Sequence, residues 1–325
     1  MPPLFNPKNQ KPEIMPPKAI LPKPLKAGDT IGIFHPAGPV QDPAAFESGL
    51  HILRGLGLQV RHHQPDGSGP DYLAADDEER VRELQTLWAD DEVKGLIAAR
   101  GGYGCLRILN QLNLKFLRAH PKWLIGFSDL TVLLNGIFTN TGLITMHGPV
   151  VTSLSRLDTR SMDSFREQLG GKFSHCRHIP GLEILRGNTG QGRLIGGNLT
   201  TLTHLIGTPW QPQFAGNILF LEDTAEPPYK LDRMLTHLSC CGLMDNLSGL
   251  ILGVFDPGHD DRLEMIRLNE QIWQRVLELT ESTSYPIWGG FPVGHQTHNY
   301  PMPIGMEAVM DSATGTLNFF TENAL

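Results

Sequence analysis

The sequence predicts an α/β protein of two domains, the first built on a parallel sheet and the second rich in β-structure. Two observations lead to this prediction. Short apolar runs alternate with amphipathic stretches between about residues 30 and 150, which is the order of strands and helices in a parallel α/β sheet. The chain has 325 residues, more than a single hydrophobic core usually organises, so a second domain is expected.

The first half supplies five candidate strands with helices between them. The strands are predicted within Leu25–Phe34 and at Leu58–His62, Val93–Ala99, Trp123–Phe127 and Leu143–Val151. The helices are predicted at Pro43–Leu56, at Cys105–Leu112, from Asp129 onward and, as an acidic surface helix, at Asp76–Asp91. The loops His35–Pro39 and Arg100–Gly104 follow strand ends, as Ser128 does, and ligands bind at the carboxyl ends of parallel strands. We therefore expect these three loops to meet.

The second half repeats the alternation of strands and helices and ends in a β-rich segment. Strands are predicted near Gly192 and at Asn217–Glu222, Leu247–Phe255 and Ile287–Phe291, with helices at Tyr229–Cys241 and Asp261–Glu281. The alternation thus predicts that a second α/β domain follows the first along the chain.

Domain boundaries follow from where the patterns fade. The expected order is a disordered or extended tail at residues 1–24, a Rossmann-like domain at 25–155, a polar linker at 156–188 and a β-rich α/β domain at 189–325. Proline and lysine dominate the tail, and the linker contains a polar cluster of His175, Arg177, His178 and Pro180. Such stretches bury too little apolar surface to fold alone.

Charge and cysteine content exclude several classes of partner. Lysine and arginine number 27 against 34 aspartates and glutamates, a formal net charge of −7, so neither nucleic acid nor an anionic membrane is an expected partner. The four cysteines, at positions 105, 176, 240 and 241, form no C-x-x-C pair and favour a reducing compartment. No stretch resembles a secretory signal or an uncharged membrane span. The cytoplasm is the predicted location.

Ser128 lies where a short strand is followed by a helix. The apolar run Trp123–Phe127 ends at this serine, and helical spacing begins at Asp129. Such a corner presents a hydroxyl above a sheet edge while unpaired backbone N–H groups point at the same place. Leu130 occupies the second glycine position of the esterase pattern G-x-S-x-G, so the match is incomplete. The alternative is that Ser128 and Asp129 only cap the helix.

A nucleophilic serine needs a base and a group that orients the base. Glu222 ends the predicted strand NILFLE, and His295 follows Gly294 just past another strand. Both side chains are thus expected at the rim of a sheet. Each also has an ordinary structural interpretation, as a helix cap for Glu222 and as a hydrogen-bonded structural histidine for His295.

Seven motifs occur in order between about Lys26 and Gly305. They are GDTIGIFHPAGPV, ARGGYG, GFSD, MHGP, GGNLTTLTHLIGTP, LFLEDTAEPPYKLDRML and a final GH…N…PxPIG. In this series the chain resembles the LD-carboxypeptidase family of serine peptidases, the S66 family, which includes the microcin-C immunity peptidases. The resemblance covers nearly the whole folded chain.

The resemblance implies a Ser-Glu-His triad divided between the domains. It makes Ser128 the nucleophile, His295 the general base and Glu222 the acid that orients the base. The implied oxyanion hole consists of the backbone N–H of Asp129 and an N–H of the turn Gly101–Gly102, where glycine lets the backbone approach the substrate.

The resemblance also implies a substrate, a murein tetrapeptide (L-Ala-γ-D-Glu-meso-diaminopimelate-D-Ala) that loses its terminal D-alanine in cell-wall recycling. It implies a homodimer without cofactor or metal. We predict Arg100, beside the glycine turn, as the partner of the substrate carboxylate, a structural ion pair being the alternative. Tyr103, His147 and Asn198 are predicted to line the cleft. Gln296 stands where the family more often has glycine, and the tail has no family counterpart.

Three other functions stay open at this stage. One is an immunity-type peptidase that cleaves aminoacyl or peptidyl adenylates. A second is a nucleotide-binding module, since Gly102 and Gly104 follow a strand, although Arg107 occupies the third glycine position and no P-loop occurs. The third is a metal hydrolase using His295 and His298, although the chain has no H-E-x-x-H motif.

Overall fold

The computed structural model describes residues 17–65, 67–173, 179 and 181–320. The polar cluster predicted for the linker, His175, Arg177, His178 and Pro180, lies outside the described residues, as do the first 16 residues of the predicted tail.

Strands and helices alternate along the described part of the chain. The strands are β1 Thr30–Phe34, β2 Gln59–His62, β3 Val93–Ala98, β4 Trp123–Gly126, β5 Thr145–His147, β6 Glu183–Arg186, β7 Thr189–Asn198, β8 Ile218–Thr224, β9 Gly249–Asp256, β10 Ile287–Gly289, β11 Met302–Ile304, β12 Glu307–Asp311 and β13 Thr316–Phe320. The helices are α1 Pro43–Gly55, α2 Asp77–Ala89, α3 Cys105–Leu109, α4 Leu114–Ala119, α5 Thr131–Thr141, α6 Thr159–Leu169, α7 Leu199–Thr203, α8 Pro228–Cys240 and α9 Arg262–Leu279. The predicted α/β class is confirmed.

The first sheet has the order β11-β5-β4-β3-β1-β2. Its five strands from the first half are parallel, and β4 and β5 are buried throughout, as the near-continuous apolar runs predict. The edge strand β11 comes from the other end of the chain and pairs antiparallel with β5. The first sheet is therefore completed by a segment that the sequence places in the second domain.

The second sheet has the order β13-β12-β7-β8-β9-β10-β6. Its centre, β7 to β10, is parallel, while β12 and β13 on one side and β6 on the other run antiparallel to their neighbours. The carboxyl ends of β7 and β8 lie side by side, because Asn198 pairs with Glu222. No helix among the described residues is long and apolar enough to cross a membrane.

Parts of the predicted tail and linker are packed structure. Ile20 forms a β-bridge with Leu143, and the carbonyl of Lys23 accepts a 3.0 Å hydrogen bond from Trp123 Nε1. Residues 17–24 are therefore part of the folded protein. The predicted linker contains helix α6, which Asp158 caps by accepting a hydrogen bond from the backbone N–H of Ser161.

A buried amide joins helix α5 to strand β7. Asn135 is fully buried, its Nδ2 donates to the carbonyls of Gly196 and Thr131 at 2.8 Å, and its Oδ1 accepts from Gly196 N at 3.1 Å. Thr131 Oγ1 accepts from Asn198 N at 3.0 Å. A Cβ on Gly197 would lie 2.5 Å from Thr131 Oγ1, so this approach requires glycine. We call these contacts the α5–β7 seam.

The seam predicts a large loss of stability in Asn135→Leu. The variant leaves both backbone groups of Gly196 buried without their partner, which costs about 3 kcal/mol. Urea unfolding measures this free energy. The matched control is Asn140→Leu, because Asn140 is exposed on the same helix and its loss costs less than about 1 kcal/mol. Equal effects of the two substitutions would contradict the prediction.

Candidate active site

Ser128 has a backbone conformation that residues with a side chain rarely adopt. Its φ angle is +65°, at the first residue of a short 3-10 turn between β4 and α5. Such a conformation is held only when the surrounding structure enforces it, and it is common at active sites. A Cβ on Gly126 would lie 2.4 Å from Leu130 Cδ2, so the glycine permits the tight corner. The predicted strand-to-helix corner is confirmed.

The glycine turn after β3 lies against the Ser128 side chain. A Cβ on Gly101 would be 3.0 Å from Ser128 Cβ and 3.2 Å from its Oγ. Gly102 has a φ of +123° and is packed tightly against the backbone of Gly38. The three predicted loops, His35–Pro39, Arg100–Gly104 and the serine corner, thus meet at one edge of the first sheet.

The carboxylate of Asp129 is hydrogen-bonded to the first residue of helix α3. It is 5% exposed and accepts a 2.8 Å hydrogen bond from Cys105 N. Burial raises its pKa, and the hydrogen bond from Cys105 and the charge of Arg80 oppose that rise. The side chain therefore ties the serine corner to the helix that follows the glycine turn.

Glu222 and His295 form a hydrogen-bonded pair at the carboxyl edge of the second sheet. Glu222, near the end of β8, is fully buried, and its Oε2 lies 2.8 Å from Nδ1 of His295. The side chain of His295 is 20% exposed. A Cβ on Gly294 would come within 3.3 Å of the Glu222 carboxylate, so glycine lets the loop pass close to it. The structure brings these two predicted residues together.

The pair shifts both pKa values towards the charged forms. Burial alone would lower the pKa of His295, but the carboxylate of Glu222, with smaller effects of Asp223 and Asp256, raises it above the ordinary value. Burial alone would raise the pKa of Glu222, but the charge and the hydrogen bond of His295, with smaller effects of His147 and Asn198, together outweigh burial and lower it. The arrangement therefore stabilises an imidazolium next to a carboxylate.

The serine corner and the pair face each other across the boundary between the two sheets. The ring of Phe127, the residue before Ser128, lies 4.7 Å from the ring of His295 between centroids. Thr201 Oγ1, in α7 after β7, donates to the carbonyl of Ser128 at 3.3 Å. No hydrogen bond between described residues joins Ser128 Oγ to His295, and in proteins without substrate such bonds are often long.

Two residues predicted to line the cleft are buried behind it. His147 is fully buried between the rings of Phe127 and Phe220, and neither ring nitrogen has a hydrogen-bond partner among the described residues. Burial lowers its pKa to about 4. Asn198 is 4% exposed, and its Nδ2 donates a hydrogen bond of 3.0 Å to Oδ1 of Asp223. Both therefore support the site from behind, which corrects the prediction.

The other two predicted binding residues lie on the glycine turn. Tyr103 is 54% exposed beside the ring of Tyr72. Arg100 is half-buried, and its Nη1 donates to the carbonyl of Pro39 at 3.1 Å. One guanidinium nitrogen of Arg100 is thus engaged in a hydrogen bond to the loop His35–Pro39.

A cavity of about 660 Å³ opens beside His295. Phe127, Arg156, Asp260 and Arg262 line it, so both halves of the chain contribute. Within the described ranges, no hydrogen bond or ion pair engages the side chain of Arg156 or Arg262. The candidate metal ligand His298 faces away and bonds to Asp158 at 2.8 Å.

Comparisons with known proteins identify the family of the chain. Residues 31–148 match the LD-carboxypeptidase N-terminal domain, and residues 191–310 match the LD-carboxypeptidase C-terminal domain. The chain belongs to the LD-carboxypeptidase family. This confirms the resemblance that the motifs carried.

Named relatives extend over most of this family member. The probable murein peptide carboxypeptidase of Bacillus subtilis is 35% identical over 299 residues, 91% of this chain and 92% of that protein. The murein tetrapeptide carboxypeptidase of Pseudomonas aeruginosa is 34% identical over 250 residues, 74% of this chain and 80% of that protein. The crystal structure of an MccF-like protein from Bacillus anthracis superposes with a TM-score of 0.84 at 25% identity, covering 94% of this chain and all of that chain.

Sequence reasoning missed a buried cation next to the site of this LD-carboxypeptidase. Arg80, placed on a predicted surface helix, has a fully buried side chain. The signal was its position, because Arg80 shares a helix face with Leu84, Leu87 and Trp88 at the spacing i, i+4, i+7 and i+8. An arginine within an apolar stripe is a candidate for a buried, paired charge.

The Glu222–His295 pair predicts a histidine that titrates above its ordinary value of 6.5. In Glu222→Gln the carboxylate charge is lost while burial remains, so the midpoint of His295 falls below 6.5. NMR titration of histidine-labelled protein, assigned with His295→Gln, measures both midpoints. Glu226→Gln is the matched control, because Glu226 pairs with Lys230 at 3.1 Å, and it leaves the midpoint unchanged. A native midpoint at or below 6.5 would refute the electrostatic account.

Proposed function

We propose that this member of the family is a serine LD-carboxypeptidase that removes the terminal D-alanine from a murein tetrapeptide. The observation that carries the proposal is the hydrogen bond of 2.8 Å between Glu222 and His295, facing a serine held at a φ of +65°. Relatives named murein peptide and murein tetrapeptide carboxypeptidase, 35% and 34% identical to the chain, support the substrate.

In the proposed reaction His295 acts first as a base and then as an acid. Its Nε2 accepts the proton of the Ser128 hydroxyl as Oγ attacks the carbonyl carbon of the bond to D-alanine. The same proton passes to the nitrogen of the leaving D-alanine, which gives an ester on Ser128. Water, deprotonated by His295, then hydrolyses the ester. Glu222 holds the ring through Nδ1 and balances the charge of the imidazolium.

The oxyanion of the tetrahedral intermediate is proposed to lie between the serine corner and the glycine turn. We assign one donor to the backbone N–H of Asp129, the residue after the nucleophile, and the other to an N–H of Gly101 or Gly102 in the turn after β3. The close approach of Gly101 to Ser128 Oγ supports this assignment. Each such donor contributes about 3 kcal/mol to stabilising the transition state.

Arg156 and Arg262 are better placed than Arg100 to receive the carboxylates of the peptide. Both line the cavity beside His295. Arg100 does not line it, and its Nη1 donates a hydrogen bond to the carbonyl of Pro39. A tetrapeptide with free carboxylates on D-glutamate, diaminopimelate and D-alanine offers partners for more than one guanidinium.

Other expectations remain proposals of the same kind. A division near residues 156–188 places the nucleophile and its two partners on different domains, although β11 crosses between them. Action in the cytoplasm rests on the cysteine pattern and on the absence of a recognisable signal or membrane span in the sequence, and assembly as a homodimer rests on the family resemblance.

The proposal predicts that Ser128→Ala abolishes release of D-alanine. Without the hydroxyl no acyl-enzyme forms, so kcat falls by about 10⁴-fold or more. Incubation with L-Ala-γ-D-Glu-meso-diaminopimelate-D-Ala and mass analysis for loss of one alanine measure this. Thr201→Ala, which removes only a hydroxyl that bonds to the Ser128 carbonyl, is the control and retains activity.

The same assay separates the second candidate function. The structural similarity to an MccF-like protein favours testing an aminoacyl sulfamoyl adenosine beside the tetrapeptide. Cleavage of that compound with no release of D-alanine would replace murein peptide by an adenylate as the substrate. Full activity of Ser128→Ala on either compound would contradict the serine mechanism itself.

The cavity predicts that Arg262→Gln and Arg156→Gln weaken substrate binding. Each removes one charge-assisted hydrogen bond, so KM rises about tenfold while kcat changes less than about threefold. Steady-state kinetics on the tetrapeptide measure both constants. Arg54→Gln is the matched control, because this exposed arginine of α1 does not line the cavity. A larger rise of KM in Arg100→Gln than in both cavity variants would return the role to Arg100.

A further inference from the structure

Two loops on the adjacent strands β1 and β3 lie beside Ser128. The loop after β1 contains Pro36 and Gly38, and the turn after β3 contains Gly101, Gly102 and Gly104. Gly38 N donates to the carbonyl of Gly101 at 3.2 Å, and a Cβ on Gly102 would lie 3.1 Å from Gly38 N. The turn that touches Ser128 is therefore held by the loop beside it.

Arg80 connects these two loops from behind. Its Nη1 donates both to the carbonyl of Pro36 and to the carbonyl of Gly104, at 3.1 Å. The side chain is fully buried, and its Nη2 pairs with Asp77, which in turn accepts from Arg107 Nε at 3.0 Å. A buried guanidinium is tolerated only where hydrogen bonds and an opposite charge compensate the lost hydration.

The position of Gly104 depends on this side chain. Gly104 has a φ of +129°, and a Cβ there would lie 2.7 Å from Arg80 Nη1. The guanidinium thus occupies the space under the turn together with Leu73, whose Cδ2 would lie 2.6 Å from the same Cβ, and these contacts and the positive φ account for the glycine. The positive charge of the guanidinium also lowers the pKa of the buried carboxylate of Asp129. Arg80 therefore acts on the two loops through hydrogen bonds and on the serine corner through electrostatic attraction.

We propose that Arg80 is a positioning residue, which holds the turn Gly101–Gly102 at the distance from Ser128 at which its backbone N–H binds the oxyanion. The inference rests on the proposed function. Arg80 lies behind both loops and touches no reacting atom. A lysine cannot replace it, because one ammonium group lacks the planar fork that reaches Pro36, Gly104 and Asp77 together.

Arg80→Lys and Arg80→Met test the inference. We expect kcat on the tetrapeptide to fall about 10- to 100-fold, with KM within about threefold and an unchanged acid limb of the pH profile, since the Glu222–His295 pair is intact. The matched control is Arg82→Lys on the same helix, where the side chain is 67% exposed. The control keeps native kinetics.

Two further measurements separate positioning from a merely structural role. The affinity for a peptidyl aldehyde, which forms a tetrahedral adduct on Ser128, falls in parallel with kcat, whereas the affinity for the product tripeptide stays native. The rate at which a fluorophosphonate labels Ser128 falls as well, and this readout needs no peptide substrate. Thermal unfolding confirms that each variant is folded at the assay temperature.

Failure of this inference differs from failure of the proposed function. Native kcat and native labelling in folded Arg80→Lys would overturn the role of Arg80 while D-alanine release stands. Equal losses of affinity for aldehyde and tripeptide would also overturn it, because the turn would then serve ground-state binding. Absence of D-alanine release by the native protein would overturn the function, and the labelling rates would still decide on Arg80.

Discussion

The α5–β7 seam is the constraint on which the geometry of the site depends. Asn135 bonds to both backbone groups of Gly196, as a neighbouring strand would, and it does so from the helix that begins at the serine corner. Strand β7 carries Asn198 beside Glu222 of β8. One short path of buried hydrogen bonds therefore sets the position of Ser128 relative to the acid that orients His295.

Burial around Glu222 explains why its carboxylate pairs with one imidazolium, that of His295, and not with His147 as well. The low polarity that strengthens its attraction to His295 also keeps His147 neutral, with a pKa lowered to about 4 by burial. A protonated His147 would compete with His295 for the same carboxylate. Asp223, the next residue of the strand, is held by Asn198 and by the backbone of Thr200, and burial raises its pKa to about 6. At neutral pH Asp223 therefore stays mostly ionised, and its charge adds to that of Glu222 in raising the pKa of His295.

The sequence predicted those parts of the fold that depend on local patterns. Strands β1, β3 and β4 and the corner at Ser128 were found because alternation of strands and helices is visible within short windows, and the carboxyl-edge rule then brought the loops together. Strand β11 was not assigned to the first sheet, because pairing between residues far apart leaves no trace in local periodicity. Residues 17–24 were assigned to the tail because proline removes the apolar pattern, although their backbone still bonds to the sheet.

Burial of polar side chains was the harder problem at the site itself. His147 and Asn198 stand in motifs near the catalytic edge, and proximity in sequence cannot tell a lining residue from one behind the lining. The residue type of Arg80 does not distinguish it from a solvated charge, but its place in the apolar stripe of α2 does. Whether such an arginine is buried or solvated depends on which backbone carbonyls nearby lack a hydrogen-bond donor. Here they are the carbonyls of Pro36 and Gly104, which belong to loops that follow other strands.

The seam also decides how a substrate reaches the site. Separating the two halves of the chain would break the hydrogen bonds of Asn135 and Thr131. Each buried polar group left without a partner would cost about 1–3 kcal/mol of free energy. The cavity beside His295 has an open side, where residues 258–262 are exposed. Access through this side leaves the seam intact. Arg156 and Arg262 enter the cavity from different halves of the chain. Under the proposed function, a peptide carboxylate bound by both would therefore add a further link across the boundary that the seam already holds.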